Sequence, residues 1–460
     1  MLKQLRTVAG IMREQRRLAP FTRQELEADK LRRFRELVRF AQQHSPYYAD
    51  IIKAQGMDPS RCVPADFPVL TKPMLMANFD RIVTDRRITK QGIADFLSRS
   101  SDPNDFLFGE YRVLHTSGTS GEVGYFIFSQ AEWYRGMFAG GRQRRAAAGS
   151  KRGFGRLRFG FYGATGGHFA GVSMAKSAEH GLTRLFIKVA VFEVNSPLPE
   201  VIAQLNRFQP HMLMGYTNAL KVLASKQDTG ELRIAPIGIA AGGETVTASD
   251  RAVLSRAFGC DVTSAYGCTE HLMMGASDPD GEHMTLFDDN LIYEFFDDHS
   301  LVTNLFNWTL PLIRYRMSDV LQPVPQQPSG SRHLRIRNLI GRTEIVPTFL
   351  NDDGVEDFIS PHTINEVFVA GVTKFQLHVS GSKSFTFFVC VDPSLDAAGR
   401  ARAIDALDAR LREILAQKKM SSVRHTIEVR DSIDVDPRTR KFRLITLGAD
   451  ALAKRPAAGQ

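Results

Sequence analysis

Cysteine is scarce and scattered. Cys62, Cys260, Cys268 and Cys390 are the only four in 460 residues, and no pair has the C-x-x-C spacing of a zinc site or redox couple. Free thiols in a reducing compartment are the expectation. Long apolar runs are missing too. No stretch approaches the ~20 residues that span a bilayer. The first twenty residues, MLKQLRTVAGIMREQRRLAP, hold no uninterrupted apolar core of signal-peptide length. These absences predict a cytoplasmic chain without a membrane anchor. Hydrophobic residues at 43% and charged residues at 24% are ordinary globular values, which excludes disorder, collagen-like repeats and coiled coil for the bulk of the chain. No internal repeat is found, and the length exceeds one ordinary domain.

Acidic residues are absent from Trp133 to Ala178, where nine Lys/Arg stand unopposed. Residues 1–60 carry 12 Lys/Arg against 7 Asp/Glu. The whole chain has a formal charge of +9 and a pI near 9.4. Such a balance admits nucleic acid, membrane headgroups or anionic small molecules as partners. A solvated face is the ordinary use of such runs. The cations of the second stretch, among them Arg142, Arg144, Arg145, Lys151 and Arg152, could also attract the phosphates of a nucleotide cofactor.

Residues 1–55 read as helix, with Leu31, Phe34, Val38 and Ala41 on one face. Met1 to Leu18 is basic and amphipathic, suited either to the protein body or to a membrane surface. After residue 105, apolar β-rich runs alternate with helical ones, with glycine-rich punctuation at GFYGATGGHFAG, AAGGE and AYGCTE. This alternation predicts an α/β fold with parallel pairing and ligands at strand ends. Residues 321–331 (LQPVPQQPSGS) form a loop near a boundary. Beyond Gly341 the runs FQLHV, FTFFVCVD and HTIEVRD read as strands, and Ala397 to Gln417 as a helix with Ile404, Leu407, Leu411 and Leu415 on one face. That is a compact α+β unit.

The strongest local signal is His115-Thr116-Ser117-Gly118-Thr119-Ser120-Gly121, directly after the strand-like YRVL. Glycines let backbone amides approach an anion, and hydroxyls add donors. The loop suits a polyphosphate but lacks the lysine of the G-x-x-x-x-G-K-[ST] motif. Five further motifs follow in order: Ala240-Ala241-Gly242-Gly243-Glu244, Tyr266-Gly267-Cys268-Thr269-Glu270, Arg314 to Asp319, Gly341-Arg342-Thr343-Glu344, and Thr439-Arg440-Lys441-Phe442-Arg443.

On these motifs, from about residue 110 to 445, the sequence resembles the adenylate-forming superfamily of acyl-CoA synthetases, peptide-synthetase adenylation domains and luciferases. Its motifs read T-S-G-T-T-G, Y-G-x-T-E, Y-R-x-G-D, G-R-x-D and G-K-x-x-R. The segment Phe159 to Gly167 and HSPYYAD at 44–50 resemble the phenylacetate-CoA ligase branch and its capsule-associated relatives.

The resemblance implies a large N-terminal domain of mixed sheets and helices over 1–340, with residues 1–55 as a helical lead-in. A small, mobile α+β domain over 341–460 would follow, hinged at 341–344. It implies that Thr116, Ser117, Gly118, Thr119, Ser120 and Gly121 hold the β- and γ-phosphates of ATP. Tyr266, followed by Gly267, would lie against adenine, and Gly243 and Glu244 would cap that pocket. Thr269 would reach the α-phosphate, and Glu270 would hold Mg²⁺. Asp319 would bind the ribose hydroxyls, supported by Arg342. Lys441 would bridge the acid's carboxylate and the α-phosphate.

The acid pocket would be lined by Tyr162 to His168, Met214 to Asn218 and Ala240 to Gly243. Tyr162, His168, Tyr216, Ala241 and Gly242 are its named members. Phe161, Tyr162 and Tyr216 suggest an aryl acid, unless they are core. His168 would orient the carboxylate, or be structural. The implied activity is ATP-dependent activation of a carboxylic acid to an acyl-adenylate, then transfer to the thiol of coenzyme A. A carrier-protein thiol, an amine or a hydroxyl is the alternative acceptor, and a catalytically silent nucleotide-binding homologue the further alternative. A nucleic-acid partner does not explain the ordered motifs.

Several positions depart from the family pattern. Glu122-Val123-Gly124 stands where the family has a lysine after the phosphate loop. Ser318 replaces glycine, Glu344 replaces aspartate, Arg440 replaces glycine, and Arg443 comes one residue early. Cys268 occupies a variable position and is expected to be inert.

Overall fold

The computed structural model describes residues 2–116, 123–139, 155–179, 183–244, 246–317, 319–325, 332–337, 345–365, 367, 369–433 and 443–448. Up to Arg99 the chain's regular elements are all helices. Helices run over Leu2–Leu18, Arg23–His44 and Pro46–Ala54. Thr22 starts the second with a reciprocal capping box to Glu25, satisfying two backbone donors that a helix start leaves open. Phe34, Val38 and Ala41 are fully buried, on the face that the spacing predicts.

The first helix lies on the protein body. Ile11 and Leu18 are buried, the Gln15 side chain donates to the Phe138 carbonyl at 2.8 Å, and Glu14 pairs with Arg135 at 2.9 Å. The second helix is tied in by the fully buried carboxylate of Asp288, which meets Arg23, Lys30 and His333. Burial alone would raise that carboxyl; His333, Lys30 and Arg23 outweigh it and hold it well below the usual range. No described helix is long and apolar enough to cross a membrane.

Two antiparallel strands follow, β1 (Tyr111–His115) and β2 (Tyr125–Ser129). Then come β3 (Leu157–Gly163), β4 (Ile187–Glu193), β5 (Met212–Tyr216), β6 (Gly238–Gly242), β7 (Asp261–Cys268), β8 (Leu272–Ser277) and β9 (His283–Leu286). Strands β10 (Leu291–Phe295), β11 (Ser300–Asn304) and β12 (Tyr315–Met317) form a separate sheet, and β13 (Arg335–Arg337) returns to the large one. The large sheet has the order β13-β9-β8-β7-β6-β5-β3-β4.

From β4 to β7 the pairing is parallel, as the alternation of strands and helices predicts. From β7 to β13 it is antiparallel. The links from β7 to β8 and from β8 to β9 are only a few residues long, and a parallel crossover needs a dozen or more. The helices Leu198–Phe208, Thr217–Asp228 and Ala248–Phe258 bury Leu205, Leu220, Leu223 and Leu254 against Leu213, Ile239 and Ala241 of the sheet.

The chain ends in a hairpin, β14 (Thr348–Leu350) and β15 (Glu356–Phe358), a short helix Pro361–Asn365, and a sheet of β16 (Val372–Gly381), β17 (Ser384–Val391), β18 (Arg424–Val429) and β19 (Ile445–Leu447) in the order β18-β17-β16-β19. The helix Ala397–Gln417 packs Leu407, Leu411 and Leu415 onto this sheet. The loop after β4 is clamped by C-terminal side chains. Lys418 and Asp357 form a fully buried ion pair at 2.8 Å. The Lys418 ammonium also donates to Ser196 O at 2.8 Å and Val194 O at 3.3 Å. The other Asp357 oxygen accepts from the Leu198 amide at 2.8 Å. Lys419 beside it makes only an exposed pair with Glu200.

These two neighbours should differ sharply. Lys418→Ala leaves a buried carboxylate uncompensated and should cost about 3–5 kcal/mol. Lys419→Ala should cost under about 1 kcal/mol. Denaturant unfolding of the two variants checks the contrast, and equal losses would refute the clamp.

Candidate functional site

The parallel strands end at one level. Tyr162 pairs with Gly215, Tyr216 with Gly242, and Gly242 with Ala265. In open α/β sheets ligands bind beyond these carboxyl ends. Tyr266 stands one residue past Ala265, at a bulge where β7 turns to its antiparallel neighbour. Gly267 belongs to that bulge; a Cβ there would lie 2.5 Å from the Leu272 carbonyl oxygen, so a side chain is excluded. The Tyr266 hydroxyl donates to Asp319 Oδ2 at 2.8 Å, across 53 residues of chain. Thus the residues that the resemblance assigns to adenine and ribose are neighbours. Asp319 is anchored by its carbonyl, which accepts from the Ser300 hydroxyl at 2.9 Å.

Thr269 and Glu270 follow β7 and are half-buried. Burial raises the Glu270 carboxyl, opposed by its own backbone amide, by hydrogen bonds and by the charge of Lys72. Tyr315 donates to Glu270 Oε1 at 3.4 Å. Glu270 suits the protein side of a Mg²⁺ site that takes one or two carboxylates and completes itself with substrate phosphates. No cluster of three His, Cys, Asp or Glu that could hold a metal occurs among the described residues.

Lys72 escaped the reading of sequence motifs. It opens the helix Lys72–Ala77, and its ammonium donates to Thr116 Oγ1 at 2.9 Å. The same oxygen accepts from the Gly124 amide at 2.9 Å, and the Thr116 amide donates to the Gly124 carbonyl at 2.9 Å. Thr116 and Gly124 thereby close the base of the Ser/Thr/Gly loop, with a cation beside it. A polyphosphate loop without its own lysine was the signal to search elsewhere for one. Ser117 to Gly121, Arg342, Lys441, the segment 341–344 and the cations Arg142 to Arg152 lie outside the described residues.

On the neighbouring strand end, Gly243 has φ +74°, a conformation that favours glycine. Glu244 is buried. Its Oε2 accepts from the Asn218 amide at 2.8 Å, and its Oε1 has no partner among the described residues. Burial raises this carboxyl, against the Asn218 amide and the charge of His362.

The residues offered for an acid pocket separate. Tyr162 and Ala241 are fully buried in the core beneath the sheet, and Phe161 packs on the opposite face with Val172 and Ala175. Strand alternation sends Phe161 and Tyr162 to opposite faces, and their packing is that of core side chains. Tyr216 and Gly242 remain at the strand ends. His168 is buried, with Nε2 at 3.2 Å from the Ser100 hydroxyl and Nδ1 without a partner among the described residues. Burial, then His115 and Arg112, lower its pKa, so it stays neutral at neutral pH.

The Cys268 thiol contacts Met274 Sδ at 3.5 Å. Burial and the Glu270 carboxylate push its pKa well up, so the nucleophilic thiolate is scarce at neutral pH. Cys268 should resist alkylation at pH 7–8 in the folded chain and react once the chain is unfolded. Peptide mass spectrometry after labelling reads this directly, and rapid labelling of the folded chain would contradict it.

No family model matches the chain. Protein CapK of Staphylococcus aureus is 24% identical over 331 residues; the match covers 67% of this chain and 66%, just under two thirds, of that protein. A 2-hydroxyisobutyryl-CoA ligase in complex with 2-HIB-AMP and CoA, in the thioesterification state, superposes with a TM-score of 0.57 at 18% identity. That match covers 92% of this chain and 90% of the other. The same ligase in the postadenylation state with 2-HIB-AMP gives a TM-score of 0.54 at 17% identity, over 91% and 89% of the two chains. The chain has the fold of the adenylate-forming ligases.

Proposed function

We propose that the protein activates a carboxylic acid with ATP and passes the acyl group to the thiol of coenzyme A. The observation that carries this reading is the Tyr266–Asp319 contact. It sets an aromatic face beside a carboxylate at the end of a parallel strand, which suits adenine and its ribose. Thr116 with Lys72 would receive the phosphates, and Glu270 would hold Mg²⁺, which supplies charge neutralisation on the triphosphate when bound. CoA and acyl-AMP complexes of the 2-hydroxyisobutyryl-CoA ligase support both the adenylate and the acceptor.

In the first step a carboxylate oxygen of the acid attacks the α-phosphorus of ATP. The bond to the bridging oxygen breaks, and pyrophosphate leaves with its electron pair. In the second step the sulfur of the acceptor thiol attacks the acyl carbonyl, its proton passes to solvent, and AMP leaves. Little covalent work falls to the protein. It positions anions and opposes their charge. Lys441 is the proposed cation on the carboxylate and α-phosphate. Lys418 and Lys419, the alternatives earlier in the C-terminal segment, are paired with Asp357 and Glu200. The C-terminal sheet would act as the small domain, beyond a hinge at 341–344. The aryl character of the acid keeps no independent support, since Phe161, Tyr162 and Tyr216 all belong to buried core clusters.

ATP–pyrophosphate exchange over aryl, fatty and amino acids, repeated with CoA, tests the reading. Acid-dependent exchange and a CoA-dependent thioester are expected. Exchange without a thioester would move the acceptor to a carrier protein, an amine or a hydroxyl. ATP binding without pyrophosphate release would mark a silent homologue. Two variants test the site itself. Asp319→Ala removes the ribose acceptors, each charge-assisted bond being worth about 1.5–3 kcal/mol. ATP affinity should fall by roughly one to two orders of magnitude. Lys72→Met should weaken ATP by about tenfold or more and AMP far less, because its charge lies at the phosphate loop. Unchanged ATP affinity in a folded Asp319→Ala chain would refute the ribose assignment.

A further inference from the structure

Tyr216 is held in place by more than its own strand. Its hydroxyl accepts from the Ala164 amide at 3.3 Å. A Cβ on Gly243 would come within 2.9 Å of the ring, and one on Gly163 within 3.1 Å, so the ring lies directly against both strand-end backbones. Phe161 meets the ring edge-on with centroids 6.4 Å apart, and His362 of the short helix Pro361–Asn365 lies against it as well. Its imidazole packs on the Tyr216 ring with centroids 4.0 Å apart and planes inclined by 36°. The helix is fixed there independently. Thr363 donates to Asn195 Oδ1 at 2.7 Å, and Phe358 just before it is buried in the core under the large sheet. A continuous stack therefore runs from the C-terminal segment through His362 and Tyr216 to Gly243, and the next residue is Glu244, whose buried Oε1 has no partner among the described residues.

We propose that His362 is a positioning residue for the nucleotide site: through the Tyr216 ring it sets the Gly243–Glu244 turn, so that the strand-end pocket takes its binding geometry only when the Pro361–Asn365 helix is seated. The proposal rests on the reading of this turn as part of the ATP site. It assigns His362 no contact with the reacting atoms. The contribution to the geometry of the turn is the packed ring, and the charge of His362 acts on the Glu244 carboxyl besides.

The test is direct ATP binding to the full chain by titration calorimetry, with Tm recorded for each variant. His362→Ala should weaken ATP about fivefold to tenfold, the scale of one lost aromatic contact, with little change in Tm. His362→Phe should bind as the wild type does. Tyr216→Leu should weaken ATP comparably, and adding His362→Ala to it should cost nothing further, since both changes break one stack. Should His362→Ala fail to fold, the Phe variant and the Tyr216→Leu chain still decide. Wild-type affinity in His362→Ala, a His362→Phe chain as weak as the Ala variant, or additive losses in the double variant would each overturn the proposal. A wild-type chain that binds ATP separates this failure from that of the functional reading; one that binds no ATP overturns both.

Discussion

The parallel register of β3, β5, β6 and β7 is the constraint on which the site depends. It brings Gly163, Tyr216, Gly242 and Ala265 to one edge of the sheet. The residues just beyond that edge, Gly243, Glu244 and Tyr266, are the ones with chemistry to offer. The register in turn is held by what fills the space beneath. The helices between the strands carry leucines at helical spacing, and these pack on Leu213, Ile239 and Ala241. A one-residue slip of any strand would send its buried side chains to the other face, so the core that stabilises the sheet also fixes where its ends stand.

Buried carboxylates separate into two kinds. Away from the strand ends, several are fully satisfied. Glu132 accepts from the Trp308 and Thr309 amides, the Thr309 hydroxyl and the Ser129 amide. Asp288 meets Arg23, Lys30 and the His333 imidazole, and Asp357 meets Lys418 and the Leu198 and Phe358 amides. Such networks hold segments distant in sequence together, and each is costly to break in half. At the strand ends the pattern changes. Glu244 Oε1 and Thr217 Oγ1 are buried without partners among the described residues, although Asn218, next to Thr217, already serves Glu244. Unsatisfied buried oxygens are expensive, and Glu244 Oε1 is the one carboxylate oxygen of this kind among the described residues.

Much of this was legible before any coordinates. Helical spacing in residues 23–44 and 397–417 identified their buried faces, because a 3.6-residue period has few other readings. The resemblance assigns Tyr266 to adenine and Asp319 to ribose, and the two side chains are hydrogen-bonded neighbours. Other features were not legible. The change from parallel to antiparallel pairing after β7 is set by loop length, which the strand pattern does not encode. Phe161 and Tyr162 look alike in a glycine-rich run, yet alternation buries them on opposite faces of the sheet. Aromatic content alone cannot tell pocket from core.

The missing loop lysine shows why charge is harder to read than fold. A phosphate loop needs positive potential, not a lysine at a given chain position. Coulomb attraction depends on distance in space and on the surrounding dielectric. Lys72 meets that need from 44 residues upstream, because the Thr71 cap starts a helix whose first side chain reaches Thr116. The same ammonium opposes the upward pull of burial on Glu270, the residue proposed for Mg²⁺. One cation thereby stands at the base of the Ser/Thr/Gly loop and acts on the carboxylate proposed to face the phosphates. A motif that is incomplete along the chain can thus be electrostatically complete in the fold, and its gap locates where a residue from another element must arrive.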